Sequence, residues 1–269
     1  MFKAIICDID GTLLDNEHHI SLNTLYAINE LKKKGIMFVI SSGRSPSGIY
    51  NSFNQSYLAD AIVAYSGGYI LNDNGEEIFS KGFSKNQAKE ILEVVKNSMY
   101  DCTPCIYAND EWIVNNKNDK RIINEIKVVN YEPTIGDINS VSSKIIHKIL
   151  CICNPLITEK LENYLKEKFP CYTIMKSSNI MLEVMIANMN KMIAVEQFCK
   201  YYNIKKDEII AFGDYYNDEE MLVNLPYGYV MDNAPLDLKQ KIKNHAKSNV
   251  EDGIYHTLVD LKIIDERSE

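Results

Sequence analysis

A chain of 269 residues is too long for most single hydrophobic cores and suits one large domain or two modest ones. With 46% hydrophobic and 25% charged residues it has an ordinary soluble composition, and a formal net charge of −8 argues against a general nucleic-acid or anionic-membrane surface. An anionic substrate stays open, since one bound metal and one lysine reverse the sign locally. Residues 4 to 7 are a short apolar run, the pattern of a buried parallel strand. It stops at Asp8, Asp10 and Gly11. Residues i and i+2 of a strand share a face, so the two acids start on one side, and Gly11 lets the backbone turn tightly toward a ligand. Acids at the carboxyl end of a buried strand sit where open α/β sheets bind ligands. A carboxylate there can be a covalent nucleophile toward phosphate, with a hard cation such as Mg2+ between the like charges and the second acid handling protons. The same two acids argue against a secretory leader, so none is expected, and no apolar run reaches the roughly 18 residues that span a bilayer. A cytoplasmic location without membrane partners is expected.

Ser21 is placed to cap a helix running to Lys34, closed by Gly35. Residues 36 to 40 read as a second buried strand ending in Ser41-Ser42-Gly43-Arg44, where a hydroxyl and free backbone N–H groups can meet phosphate. Arg44 can pair with a carboxylate or face the substrate. Residues 61 to 64 read as a third strand ending at Ser66-Gly67-Gly68, followed by a hairpin about Asp73-Asn74-Gly75. From Gly82 the pattern changes. A helix over 84 to 99, strands over 105–109 and 112–115, a helix over 119–128, a strand over 144–153, a helix over 155–169 opened by proline, and strands over 172–176 and 181–186 form an inserted α+β unit. Lys191 opens the next helix, an electrostatically poor place for a lysine unless an anion sits there. Residues 209 to 212 make another parallel strand, ending in Gly213-Asp214-Tyr215-Tyr216-Asn217-Asp218. Asp214 and Asp218 there can complete an oxygen-rich Mg2+ site, and Asn217 is a neutral donor for Asp8 or a phosphate oxygen. A last strand reaches Met231-Asp232-Asn233-Ala234; Asn233 can contact substrate or the Asp214 loop. Seven scattered cysteines fit reduced thiols. Cys102 and Cys105 match C-x-x-C, a redox pair or half a zinc site, but Cys151-Ile152-Cys153 has the wrong spacing for the other half and reads as strand.

Asp8-Ile9-Asp10-Gly11-Thr12-Leu13 resembles the nucleophile motif Asp-x-Asp-Gly-Thr-Leu of the haloacid dehalogenase-like phosphohydrolases. Ser42-Gly43-Arg44 resembles their second motif, Lys191 falls on their phosphate-binding lysine, and Gly213 to Asp218 matches Gly-Asp-x-x-Asn-Asp. Ser66-Gly67-Gly68 stands for the Asn-Gly-Ala of the Cof-like branch, Asp232 stands where its Val-Ala-Met-Gly-Asn-Ala has glycine, and Glu251 to Ile254 matches the turn before its last helix. The resemblance covers nearly the whole chain. It implies a doubly wound, Rossmann-like parallel-sheet core over 1–82 and 188–269, with an inserted α+β cap of type IIB over 83–187. It implies that Asp8 attacks phosphorus and Asp10 is the acid/base. Gly11, Ser42, Gly43, Arg44, Lys191, Asn217 and Asn233 would bind phosphate or substrate. Mg2+ would be held by Asp8, Asp214, Asp218 and the backbone carbonyl of Asp10. The expected reaction is hydrolysis of a small phosphorylated metabolite (a sugar phosphate, pyridoxal phosphate or flavin mononucleotide) through an aspartyl phosphate, by a monomer or weak homodimer that does not bind nucleic acid. The alternatives are a phosphotransferase on the same scaffold, phosphomannomutase-like, and a silent phospholigand-binding protein.

Overall fold

The computed structural model describes residues 1–52 and 58–267. Its contacts divide the chain into two compact units, residues 1–43, 52–79 and 190–269, and residues 44–51 and 80–189. The short helix Pro46–Tyr50, which the sequence reading keeps with the first stretch, belongs to the second unit: Ser47 donates to the Asp110 carboxylate through its backbone N–H (2.7 Å) and hydroxyl (2.5 Å).

The first unit is built on an eight-stranded sheet. Its order is Asn244–Ala246, Tyr227–Met231, Ile209–Gly213, Ala4–Cys7, Met37–Ser41, Ala61–Ala64, Tyr69–Asn72 and Glu77–Ser80. The first six are parallel, and Tyr69–Asn72 returns antiparallel through register Ile62↔Leu71. The chain starts in the middle, winds outward to one side, and after the insert winds outward on the other, so the strand order reverses at Ala4–Cys7 and Ile209–Gly213. That switch point opens a crevice at the strands' carboxyl ends. Parallel strands are buried on both faces. Ile6, Val39 and Ala211 pack under Met192, Ala194, Val195 and Phe198 of the helix Lys191–Tyr202, while the alternate residues Ile5, Phe38, Ile40 and Ile210 are no more than 1% exposed. Ser21 caps the helix Leu22–Lys33 by accepting from the Thr24 N–H (3.0 Å).

The second unit is a six-stranded sheet in the order Tyr172–Lys176, Met181–Ile186, Lys148–Cys153, Cys102–Ala108, Glu111–Val114 and Thr134–Ile135, antiparallel except for the last pair. Helices Lys85–Asn97 and Thr158–Lys168 bury Ala88, Ile91, Val95, Leu161 and Leu165 against Ile106, Ile149, Leu182 and Val184. Ser84 and Gln87 form a reciprocal capping box at the first of these helices. The expected single strand over 144–153 is two. Ile145–Ile146 pairs with Phe83–Ser84, and Lys148–Cys153 joins the large sheet. Between them His147 is buried, accepting the Asn109 N–H on Nδ1 (3.0 Å) and facing the Ser80 hydroxyl with Nε2 (3.0 Å). Among the described residues no helix is long and apolar enough to cross a membrane.

Candidate active site

Asp8 follows the central strand directly. Its N–H still donates to the Phe212 carbonyl (3.1 Å), so its position is set by the parallel ladder, and it is 7% exposed. The chain then turns hard: the N–H groups of Leu13 and Leu14 both donate to the Ile9 carbonyl at 3.0 Å. Asp10, in this turn, is exposed. Gly11 has φ +81°, and a Cβ there would lie 2.3 Å from Oδ2 of Asp214. Glycine is therefore required both for the backbone conformation and for the approach of this turn to Asp214. Thr12 completes the contact, its hydroxyl donating to Oδ1 of Asp214 at 2.7 Å.

Asp214 and Asp218 come from the loop after Ile209–Gly213. Lys191 comes from the first turn of its helix, where Asn190 caps by accepting the Ile193 N–H (2.9 Å). The Lys191 side chain is fully buried, and its ammonium donates to Oδ1 of Asp8 and, at 2.5 Å, to Oδ1 of Asp218. The anions expected from its place at a helix start thus include these two carboxylates. Asp218 is 0% exposed, and its other oxygen accepts the N–H groups of Asp214 (3.1 Å) and Tyr215 (3.2 Å). One oxygen from each of Asp8, Asp214 and Asp218 lies within 4.8 Å of the others. Burial pushes the Asp8 carboxyl up, to about 8, against the pull of Lys191. It pushes Asp214 up to about 6, against the Thr12 hydrogen bond and with the push of Asp218. Burial also disfavours the Lys191 ammonium, but Asp218 and Asp8 more than offset this and hold it charged well above its ordinary range. Three carboxylates thus converge with a single ammonium among them.

The other residues singled out in the sequence divide. Ser42 is buried at the end of Met37–Ser41, its N–H on the Val63 carbonyl (2.8 Å) and its carbonyl receiving the Ser66 N–H (2.9 Å). Gly43 follows, with Ser66 Oγ 3.3 Å from where its Cβ would be. Gly67, at φ +114°, lets the third strand's turn approach Asn190: a Cβ would meet that carbonyl oxygen at 2.5 Å. Asn217 is exposed in the turn Tyr216–Asp218. Arg44 belongs to the second unit, where its charge acts on Glu125. Asn233 reaches the first turn rather than the Asp214 loop: its amide donates to the Gly11 carbonyl (2.8 Å), and its oxygen accepts the Asn249 N–H (3.1 Å). Asn249 in turn donates to the Leu14 carbonyl (2.8 Å). Sequence reasoning missed the bracing by Thr12 and Asn249. Thr12 could have been found from its place inside the first motif, while nothing near Asn249 signals its role.

Residues 5–258 match the family described as haloacid dehalogenase-like hydrolase, and the chain belongs to that family. A Haemophilus influenzae protein that carries the provisional name of phosphatase is 36% identical over 258 residues, 94% of this chain and 96% of its own. The 5-amino-6-(5-phospho-D-ribitylamino)uracil phosphatase of Bacillus subtilis is 24% identical over 255 residues, 93% of this chain and 94% of its own. Among solved structures, a haloacid dehalogenase-like hydrolase from Bacteroides thetaiotaomicron matches with TM-score 0.86 at 21% identity, covering 97% of this chain and 100% of that one. A subclass IIB sugar phosphatase of the superfamily matches with TM-score 0.78 at 25% identity, covering 97% and 100%. The family expected from the motifs is the one found, and the α/β core with an inserted cap is its fold.

Proposed function

We propose that this hydrolase is a Mg2+-dependent phosphatase acting on a small phosphomonoester through a phospho-Asp8 intermediate. The observation that carries the proposal is the buried cluster of Asp8, Lys191, Asp214 and Asp218 at the carboxyl ends of the parallel strands. Its donor set suits a hard divalent cation: all candidate ligand atoms are carboxylate oxygens, those of Asp8 and Asp218 buried and that of Asp214 half-buried, with too little positive charge to balance them. Asp8 and Asp214 would hold the ion, through oxygens that neither Lys191 nor Thr12 engages, and the family resemblance adds the Asp10 carbonyl. When bound, the ion neutralises a phosphate dianion facing these carboxylates. Both oxygens of Asp218 are already committed, to Lys191 and to two backbone N–H groups, so Asp218 serves as the anchor of Lys191 and not as a ligand.

The chain's own groups then divide the work. Lys191 has three N–H donors, two of them on carboxylates, and turns the third to a phosphoryl oxygen. Ser42 offers a hydroxyl to another. Asp8 forms a bond to phosphorus as the bond to the leaving oxygen breaks, and Asp10 gives that oxygen its proton. Asp10 then takes a proton from water, which attacks phosphorus and releases phosphate, restoring Asp8. Positioning and charge supply most of the acceleration in such a transfer. The relatives, a phosphorylated ribityl compound's phosphatase and a sugar phosphatase, support substrates of the sugar-phosphate kind ahead of pyridoxal phosphate or flavin mononucleotide. The test is release of inorganic phosphate from a panel of phosphorylated metabolites with and without Mg2+. Turnover that vanishes in chelator and returns with Mg2+ supports the reading. Full activity in excess chelator contradicts the metal's role, and recovery of the phosphoryl group on a second sugar instead of in solution contradicts hydrolysis.

A further inference from the structure

The C-x-x-C of the sequence is not a thiol pair. Cys102 and Cys105 are three residues apart on one strand, so they point to opposite faces of the sheet. Cys105 is buried. Cys102 instead stands directly opposite Cys153 on the neighbouring antiparallel strand. The rung between them carries no backbone hydrogen bond. The next pair along does, with the Asn154 N–H on the Asp101 carbonyl at 2.9 Å, while the Cys153 N–H turns the other way to the Ile180 carbonyl (2.6 Å). Antiparallel residues on such a rung have Cα atoms about 4.5 Å apart, inside the range of roughly 4.4–6.8 Å that a disulfide spans.

We propose that Cys102 and Cys153 are a thiol–disulfide modification site in the second unit, with a low-molecular-weight disulfide as co-reactant. Both residues are free thiols here. Cys102 and Cys153 stand on the same face of the sheet as Cys151, whose carbonyl accepts from the Cys153 thiol at 3.4 Å. The neighbouring thiols of Cys151 and Cys153, and then the charge of Arg121, hold Cys102 below the ordinary thiol range, while the neighbouring Cys102 and burial raise Cys153. Arg121 is fixed beside the strand by donating to Thr103 Oγ1 (3.1 Å) and to the Asp101 carboxylate. Cys102 is half-buried and Cys153 is 3% exposed, so the accessible thiol is also the more nucleophilic one. A metal reading does not fit: among the described residues, Asp8, Asp214 and Asp218 are the one group of three ligand atoms gathered closely enough to hold an ion.

The step balances. The Cys102 thiolate attacks one sulfur of the small disulfide, forming a mixed disulfide and expelling one thiolate. Cys153 loses its proton and attacks the Cys102 sulfur, closing the cross-strand bond and expelling the second thiolate. Two protein thiols are oxidised and one disulfide is reduced to two thiols.

The test treats the full chain with oxidised glutathione under native conditions and maps linked peptides by mass. The expected product joins Cys102 to Cys153 with loss of two hydrogens and reverts with a dithiol. Cys151→Ser gives the same link. Cys153→Ser stops at a glutathione adduct on Cys102, which forms faster than the adduct on exposed Cys171. A Cys102–Cys151 link, a lasting Cys102 adduct in the unsubstituted chain, or labelling of Cys102 no faster than Cys171 overturns the proposal.

Discussion

Asp218→Asn separates two readings of Asp218, metal ligand and lysine anchor. Three donors point at this carboxylate: the Lys191 ammonium on Oδ1, and the N–H groups of Asp214 and Tyr215 on Oδ2. An asparagine must turn its NH2 toward one side or the other. Facing Lys191, it sets donor against donor; facing the loop, it meets two backbone N–H groups. The site is 0% exposed, so water does not relieve either arrangement. A buried donor without a partner costs about 1–3 kcal/mol, and removing one charge from a buried pair typically costs about 3–5 kcal/mol. These overlap, and we expect a loss of about 3–5 kcal/mol in the unit that holds Asp218. Denaturant unfolding followed by circular dichroism reads it, while fluorescence of Trp112, the chain's one tryptophan, reports the second unit separately. Phosphatase activity should fall and stay low at any Mg2+ concentration. If the variant unfolds at the same denaturant concentration and recovers full activity in excess Mg2+, Asp218 is a ligand and the anchoring argument is wrong.

Gly11→Ala imposes a left-handed backbone worth about 1–2 kcal/mol and drives its methyl into Asp214, so the Mg2+ concentration for half activity should rise; an unchanged Mg2+ titration would contradict the close approach. Thr12→Val removes the hydroxyl on Asp214 and should weaken Mg2+ activation in the same direction with the fold intact, checked by the same titration. Burial lowers His147 to about 4 from 6.5, and its Nδ1 accepts an N–H, so the fold keeps it neutral where the unfolded chain binds a proton. Unfolded chains therefore hold more protons between pH 6.5 and 4, and stability should fall by about 3 kcal/mol as pH drops through that window. His147→Gln should flatten this part of the pH profile; an identical acid slope in both proteins would contradict it.

The elements that carry the site were legible because each pairs a buried strand with a turn of unusual chemistry. Ala4–Cys7 running into Asp8-Ile9-Asp10-Gly11 needs no distant information to be read, and Ser84 announces its helix by local capping. What escaped depends on partners far along the chain. Thr12 meets Asp214 across 202 positions, Asn233 meets Gly11 across 222, and no local pattern encodes either bond. Lys191 was found by its match to the family's phosphate-binding lysine together with its place at a helix start, yet its pairing with Asp8 and Asp218 is a property of the folded crevice. Thr134–Ile135 is too short to show a period. The strand expected to begin at Cys105 runs from Cys102, through Pro104, and register explains why it can. Pro104 pairs with Cys151 on another rung without backbone hydrogen bonds, two along from Cys102 and Cys153. On its other side the partner strand ends at Val114, opposite Cys105. The missing N–H therefore faces no acceptor.

The central claim is that Asp8 carries the phosphoryl group, and one measurement meets it directly. Asp10→Asn leaves the nucleophile in place and removes acid/base help, a loss of typically about 10²–10⁴ in rate. With an activated ester the leaving group needs little protonation, so attack by Asp8 outruns hydrolysis and phosphoenzyme accumulates. Rapid acid quench followed by peptide mass analysis locates the phosphate. The account predicts it on Asp8, with none in the Asp8→Asn protein. Phosphate on another residue, or an Asp8→Asn protein that turns over normally, contradicts it.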